Sequence, residues 1–320
     1  MSVRAPSSIP LILGSCVSLQ LGAVLAIPLL AQFGAGLTTG ARLLISGLLL
    51  LALHRPRALG WDRDTWKAVL LFGFAMAGMN GFFYAAIARI PLGIAVTIEF
   101  AGPLLLSAAL SRRRRDLGWV LAAGAAIAVL GFGDHGGDGH GLDPVGVGYA
   151  LIAAAFWAFY IAAGKRVTTR MPGQGSLAVG VLISAFVVAP FGVGAAGDLA
   201  AAAPAVLLPL VGMALLSSLI PYSLEFMAMR RLSPRIFGVL LCLEPVVAGT
   251  AGWLLLGQTL TWVHVLAMFI VVVSAITVTV SQPAPPAHPP PDDEAPPQPI
   301  GQVPAASRNT CADGASTGSP

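Results

Sequence analysis

Between Ile9 and Val280 the chain is a succession of apolar runs, each about 20 residues long, separated by short segments that hold most of its charge. A run of that length crosses the ~30 Å hydrocarbon core of a bilayer as a helix, whose backbone hydrogen bonds all close within the run. The runs are continuous. They do not alternate apolar and polar residues over stretches of about ten, as barrel strands would. Only 10% of the residues are charged and 56% are hydrophobic, against about 25% charged in a soluble domain. There is too little polar side chain to cover a water-facing surface. The sequence therefore predicts an all-α integral membrane protein.

Ten spans are expected: Ile9–Leu30, Leu37–Leu53, Trp66–Ala88, Leu92–Leu110, Leu117–Gly133, Val145–Gly164, Leu177–Val193, Ala205–Met227, Ile236–Leu255 and Leu260–Val280. With the N-terminus inside, the inner segments hold Arg4; Arg55, Arg57, Arg63 and Lys67; Arg112 to Arg115; Lys165, Arg166 and Arg170; and Arg230, Arg231 and Arg235. The outer segments hold Arg89 alone. Basic residues gather on the cytoplasmic side of membrane proteins, so both termini are expected there. Trp61, Trp66 and Trp119 fall at inner ends and Trp253 and Trp262 at outer ends, as interfacial residues should.

Setting Pro103 against Pro245 superimposes spans three to five on spans eight to ten. Each half then has five spans, an odd number, so the second half enters the membrane upside down. Inverted repeats of this kind build many secondary transporters, with the substrate site near the midplane between them. The expected domains are a first repeat over 9–133, a second over 144–280, and a disordered cytoplasmic tail over 281–320. The tail opens with PAPPAHPPPDDEAPPQP and lacks apolar periodicity.

Several function classes are excluded or disfavoured. No GxxxxGK[ST] phosphate loop occurs, so the chain carries no ATPase of its own, and there is no nucleophile elbow, HExxH or CxxC. The expectation is a non-enzyme without cofactor or metal. Cys16 and Cys242 lie in spans and Cys311 in the tail, so no disulfide framework is readable. Leu13–Cys16 resembles a lipoprotein cleavage site, but the apolar run continues to Leu30, too long for a signal peptide. Gly133–Asp143, GDHGGDGHGLD, reads as a flexible polar loop rather than a metal site. His264 reads as a packed histidine. The arginine run at 112–115 reads as an anchor to anionic lipid, not a nucleic-acid patch.

Two glutamates stand inside the apolar runs. Glu99 precedes Pro103 by four residues, and Glu244 directly precedes Pro245. A carboxylate inside a spanning helix is costly and normally faces a protein interior or a watery cavity. Proline has no N–H, so Pro103 frees the carbonyl of Glu99 and Pro245 that of Leu241. Each place offers a carboxylate and a free backbone acceptor, suited to an ammonium group or a proton. Glu99 is expected to be the functional one, while Glu244 either serves the site or locks the second half. Glu225 serves the site or pairs with Arg230 and Arg231. Arg42 snorkels outward, pairs with a carboxylate or binds a substrate carboxylate, and a structural role is favoured. Asn80 and Tyr84 share a helix face. Tyr222, Gln20, Trp157 and Tyr160 are further polar or amphipathic groups in spans.

Five stretches resemble one family: PLGIAVTIEFAGP (Pro91–Pro103), PYSLEFMAMRRL (Pro221–Leu232), FGVLLCLEP (Phe237–Pro245), GMNGFFY (Gly78–Tyr84) and AFWAFYIAAGKR (Ala155–Arg166). They are similar to the EamA family of the drug/metabolite transporter superfamily, and within it most like the threonine/homoserine exporters. The resemblance covers Ile9 to Ser281. It implies ten helices in two inverted repeats and a central cavity lined mainly by helices three, four, eight and nine. It also implies efflux of small amino acids driven by protons. Glu99, Asn80, Tyr84, Tyr222, Glu225 and Glu244 are carried over to the cavity. One departure is Gly257-Gln258, where many relatives have Gly-Glu; the pair is read here as a structural feature of the outer end.

The expectation is thus a multi-pass protein of the bacterial inner membrane whose partners are a small amino acid, protons and lipid. Glu99 would take the substrate ammonium or a proton, and Asn80, Tyr84 and Tyr222 the carboxylate. The rivals are export of another metabolite or a lipophilic cation on the same fold, a membrane-embedded enzyme, and a sensor.

Overall fold

The computed structural model describes residues 9–56, 58–110, 114–132, 142–170, 175–229, 232 and 234–281. The side chain of Tyr222 lies outside the described residues, as do most of the Gly133–Asp143 loop, Arg112, Arg113, Arg230, Arg231 and the tail beyond Ser281. Chain contacts separate Met1–Ala284 from Pro285–Pro320, and every described residue belongs to the first unit.

The described residues form helices and no strands: α1 (Ile9–His54), α2 (Arg63–Ile87), α3 (Leu92–Glu99), α4 (Ala101–Leu110), α5 (Arg114–Phe132), α6 (Pro144–Arg170), α7 (Gly175–Val188), α8 (Ala196–Ala214), α9 (Ile220–Met229), α10 (Pro234–Leu241), α11 (Glu244–Leu256) and α12 (Trp262–Ser281). A π-helical turn, Leu215–Leu219, joins α8 to α9. Eight segments among the described residues are long and apolar enough to cross a membrane. Lipid, not water, suits the outer surface: Phe186, Phe191, Leu208 and Phe269 are between 62% and 81% exposed. The protein is a multi-pass membrane protein.

Two of the expected spans run into one helical stretch. α1 has 46 residues, which at ~1.5 Å per residue would be more than twice the hydrocarbon thickness. It is broken at Gly34, whose φ of 76° and ψ of 166° suit glycine alone. The break divides it into 9–33 and 35–54, each the length of one crossing. The linker read from the sequence between Leu30 and Leu37 is therefore helical on both sides of a single residue. Leu117–Gly133 falls on α5, which is not among the eight membrane-length segments.

Expected spans four and nine are each broken in the middle. α3 ends at Glu99 and α4 starts at Ala101; α10 ends at Leu241 and α11 starts at Glu244. The two prolines open the second piece of each pair, where a missing N–H costs nothing. α3 and α11 pack together, so closely that a Cβ on Gly93 would lie 2.5 Å from the Cα of Gly249. Small residues allow such backbone contact where lipid gives no hydrophobic drive for association. The N-terminus of α3 is capped from the same neighbour. Leu92 N donates to Gln258 Oε1 at 3.0 Å, just beyond Gly257, which ends α11 in the left-handed conformation at φ 64°. Gln258 therefore acts as a cap linking these two helices.

Candidate functional site

A central cavity of about 590 Å³ is bounded by α1, α2, α3, α4, α6, the π-helical turn, α9, α10, α11 and α12. This volume falls in the range of small-molecule sites. Glu99, Asn80, Tyr84, Glu225 and Glu244 all line it. Helix breaks bring two of them there: Glu99 is the last residue of α3 and Glu244 the first of α11. Both are buried.

The three carboxylates are held differently. Ser15 Oγ donates to Glu225 Oε1 at 2.6 Å. Gln20 Nε2 donates to Glu244 Oε1 at 3.3 Å. Glu99 has no hydrogen-bond partner among the described residues, although Thr97 beside it turns back on Gly93 O at 2.6 Å. Phe100 meets Trp157 edge to face with centroids 4.9 Å apart, and Tyr160 stacks on Phe72 at 4.9 Å.

On another part of the wall lies Arg42, 2% exposed. Its Nη1 donates to Ser217 Oγ at 3.0 Å and Ser218 Oγ at 3.3 Å. Its Nη2 donates to Asn80 Oδ1, and its Cζ lies 4.6 Å from the centroid of the Tyr84 ring. Asn80 is oriented for this because its Nδ2 donates to Met76 O at 2.9 Å. Ser217 donates to Met213 O at 2.6 Å, which leaves its lone pairs for Arg42. Outward snorkelling does not occur. The buried guanidinium is held by polar groups of α2 and the π-helical turn.

Asn80 and Tyr84 do share a face, and that face meets Arg42. Ser217 and Ser218 were not read from the sequence. Their signal is Pro221: it cannot bond the carbonyl of Ser217 and clashes with the regular turn there, and the helix widens into a π-helical turn. His264 is buried and accepts from Thr261 N through Nδ1 at 3.1 Å, as a packed histidine would. No group of metal-binding side chains occurs among the described residues.

At the other end of α2, Arg89 donates to Asp143 Oδ2 at 2.8 Å. That hydrogen bond, with a second from Val145 N, holds the Asp143 carboxyl below its ordinary range. The same bond raises the Arg89 guanidinium.

The EamA-like transporter family matches residues 144–280. The threonine/homoserine exporter RhtA of Salmonella typhimurium (strain SL1344) is 38% identical over 268 residues, 82% of this chain and 88% of the relative. This chain belongs to the EamA-like transporter family. The RhtA exporter of Escherichia coli K12 is 37% identical over 277 residues, 85% of this chain and 91% of its own. YedA, an uncharacterized inner membrane transporter of the same strain, is 31% identical over 261 residues, 78% and 83% of the two chains. One crystal structure shares the fold at a TM-score of 0.53 and 18% identity, covering 86% of this chain and 97% of that one. In this EamA-type chain the family match takes in Glu225 and Glu244, while Glu99 and Arg42 lie before it.

Proposed function

We propose that the protein exports small amino acids of the threonine and homoserine kind from the cytoplasm across the bacterial inner membrane. Export is coupled to the proton gradient by alternating access. The carrying observation is a central cavity that holds buried carboxylates beside aromatic and polar groups, one of them, Glu99, without a hydrogen-bond partner among the described residues. Identity to the RhtA exporters over most of both chains supports the substrate class.

In this reading the chain crosses the membrane ten times, as two inverted repeats over 9–133 and 144–280, with the tail 281–320 and both termini in the cytoplasm. The break in α1 at Gly34 supports counting two crossings there. Two contacts fit a pseudo-two-fold axis between the repeats: span four packs on its counterpart, span nine, through α3 and α11, and span five packs on span ten through α5 and α12. Glu99 exchanges a proton for the substrate ammonium. Asn80, Tyr84 and Tyr222 form the carboxylate side, and Glu225 and Glu244 tune the cavity.

The test is radiolabelled threonine flux in proteoliposomes. An imposed pH gradient is expected to raise the rate severalfold, and a protonophore to abolish the gain. A charge moved across ~100 mV is worth roughly 2.3 kcal/mol, enough for a roughly 50-fold substrate gradient. Flux of a lipophilic cation with none of threonine would overturn the amino-acid reading.

A further inference from the structure

Arg42 has a permanent charge, since guanidinium does not deprotonate in proteins. It is 2% exposed. Every partner it has among the described residues is neutral: Ser217, Ser218, Asn80 and the ring of Tyr84. A buried ion without a counter-ion is strongly destabilising, and buried charges are normally paired. The cavity does contain carboxylates, yet among the described residues none stands within ion-pair distance of Arg42. Glu225 and Glu244 accept from Ser15 and Gln20 instead. The Nε–H of Arg42 is buried and has no acceptor among the described residues. The chain thus places a fixed cation on the cavity wall, and no described residue supplies an anion for it.

We infer that Arg42 is the carboxylate-binding residue of the transport site, receiving the carboxylate of an amino acid whose ammonium faces Glu99. This rests on the exporter reading. The residues around Arg42 are positioning residues. Met76 O fixes Asn80, Met213 O fixes Ser217, and Tyr84 covers one face of the guanidinium. An incoming carboxylate replaces neutral acceptors with an anionic one that binds a guanidinium in bidentate fashion. The substrate class follows: the α-carboxylate must be free. Amino-acid amides and esters, simple amines and lipophilic cations leave Arg42 without its anion and are rejected. A site built to bond a substrate group discriminates strongly against analogues lacking it.

The experiment measures threonine counterflow in proteoliposomes containing the full chain, with unlabelled threonine and threoninamide as competitors. In the wild type, threoninamide is expected to compete roughly 100-fold more weakly or worse. Arg42→Gln is expected to weaken threonine roughly 10- to 100-fold, leaving acid and amide nearly equal. Arg42→Lys is expected to keep a reduced preference for the acid. Where Arg42→Gln exchanges too slowly, protection against thermal unfolding by each compound gives the same ratio. Wild-type protein that accepts threoninamide as well as threonine overturns the inference without any variant. So does Arg42→Gln that keeps the full preference. A wild type that moves no amino acid is a separate result: it overturns the exporter reading and this assignment with it.

Discussion

The breaks at α3–α4 and α10–α11 look alike in sequence and are built differently. Both put a glutamate beside a proline-initiated helix. Glu99 is the last residue of the helix before its break, next to backbone carbonyls; Glu244 is the first residue after its break, next to backbone N–H groups. Carbonyl ends of helices attract cations and N–H ends attract anions. The side chains follow suit. Glu244 accepts from Gln20, whereas Glu99 accepts from nothing among the described residues. Among the described residues, a side chain satisfies Glu244 and none satisfies Glu99. A carboxylate and helix-end carbonyls together make a place for an ammonium group or a proton.

That contrast is most sharply tested by neutralising each glutamate in turn. A charge-assisted hydrogen bond contributes about 1.5–3 kcal/mol. Glu99→Gln is therefore expected to lower proton-driven threonine flux in proteoliposomes by roughly 10- to 150-fold. Glu244→Gln should cost less, because the Gln20 amide can pair with a neutral amide nearly as well. Equal losses at the two positions would erase the distinction, and unaltered flux in Glu99→Gln would remove Glu99 from the transport cycle.

How much of this was readable before the structure varied with the residue. Glu99 and Glu244 stood out because an ionised group in a long apolar run has few places to go. The breaks beside them followed from Pro103 and Pro245. Arg42 stays open in the sequence, with a structural role favoured, because a cation one turn inside a span can snorkel and nothing local says whether it does. Its holders Ser217 and Ser218 come from more than 170 positions away, and serine in an apolar helix is unremarkable. Gly34 was hidden for a different reason. A gap between apolar runs suggests a loop, but one residue at positive φ breaks a helix without one.

The start of α3 and the end of α11 give a smaller test of the same comparison, since Gln258 just beyond α11 caps α3. Gln258 Oε1 accepts from Leu92 N at the start of α3. Removing such a cap costs about 0.5–2 kcal/mol. Gln258→Ala is expected to lower the thermal midpoint of the purified protein by a few degrees, whereas Gln258→Glu should hold it, since a carboxylate accepts the same bond and suits a helix N-terminus. If Gln258→Glu loses as much as Gln258→Ala, then Gln258 contributes something other than a cap. If Gln258→Ala is silent in stability but alters pH-dependent flux, the position belongs to coupling and not to structure.

The smallest effect is expected at the Arg89–Asp143 pair, which joins the end of α2 to the start of α6 away from both breaks. Arg89 and the Val145 N–H hold the Asp143 carboxyl below its ordinary range. A depressed carboxyl adds stability that is present above the unfolded value, about 3.9, and is lost as pH falls through the folded value. The pair is therefore intact throughout the neutral range, and protons at that pH do not act on it. Being exposed, it contributes little at moderate salt. Asp143→Asn should leave both the thermal midpoint and the pH profile of threonine flux unchanged between pH 6 and 8, a range chosen well above the usual carboxylate values. A profile that moved with Asp143→Asn would place a proton-sensitive contact at this end of the molecule, and Glu99 would then not be sufficient to explain the coupling.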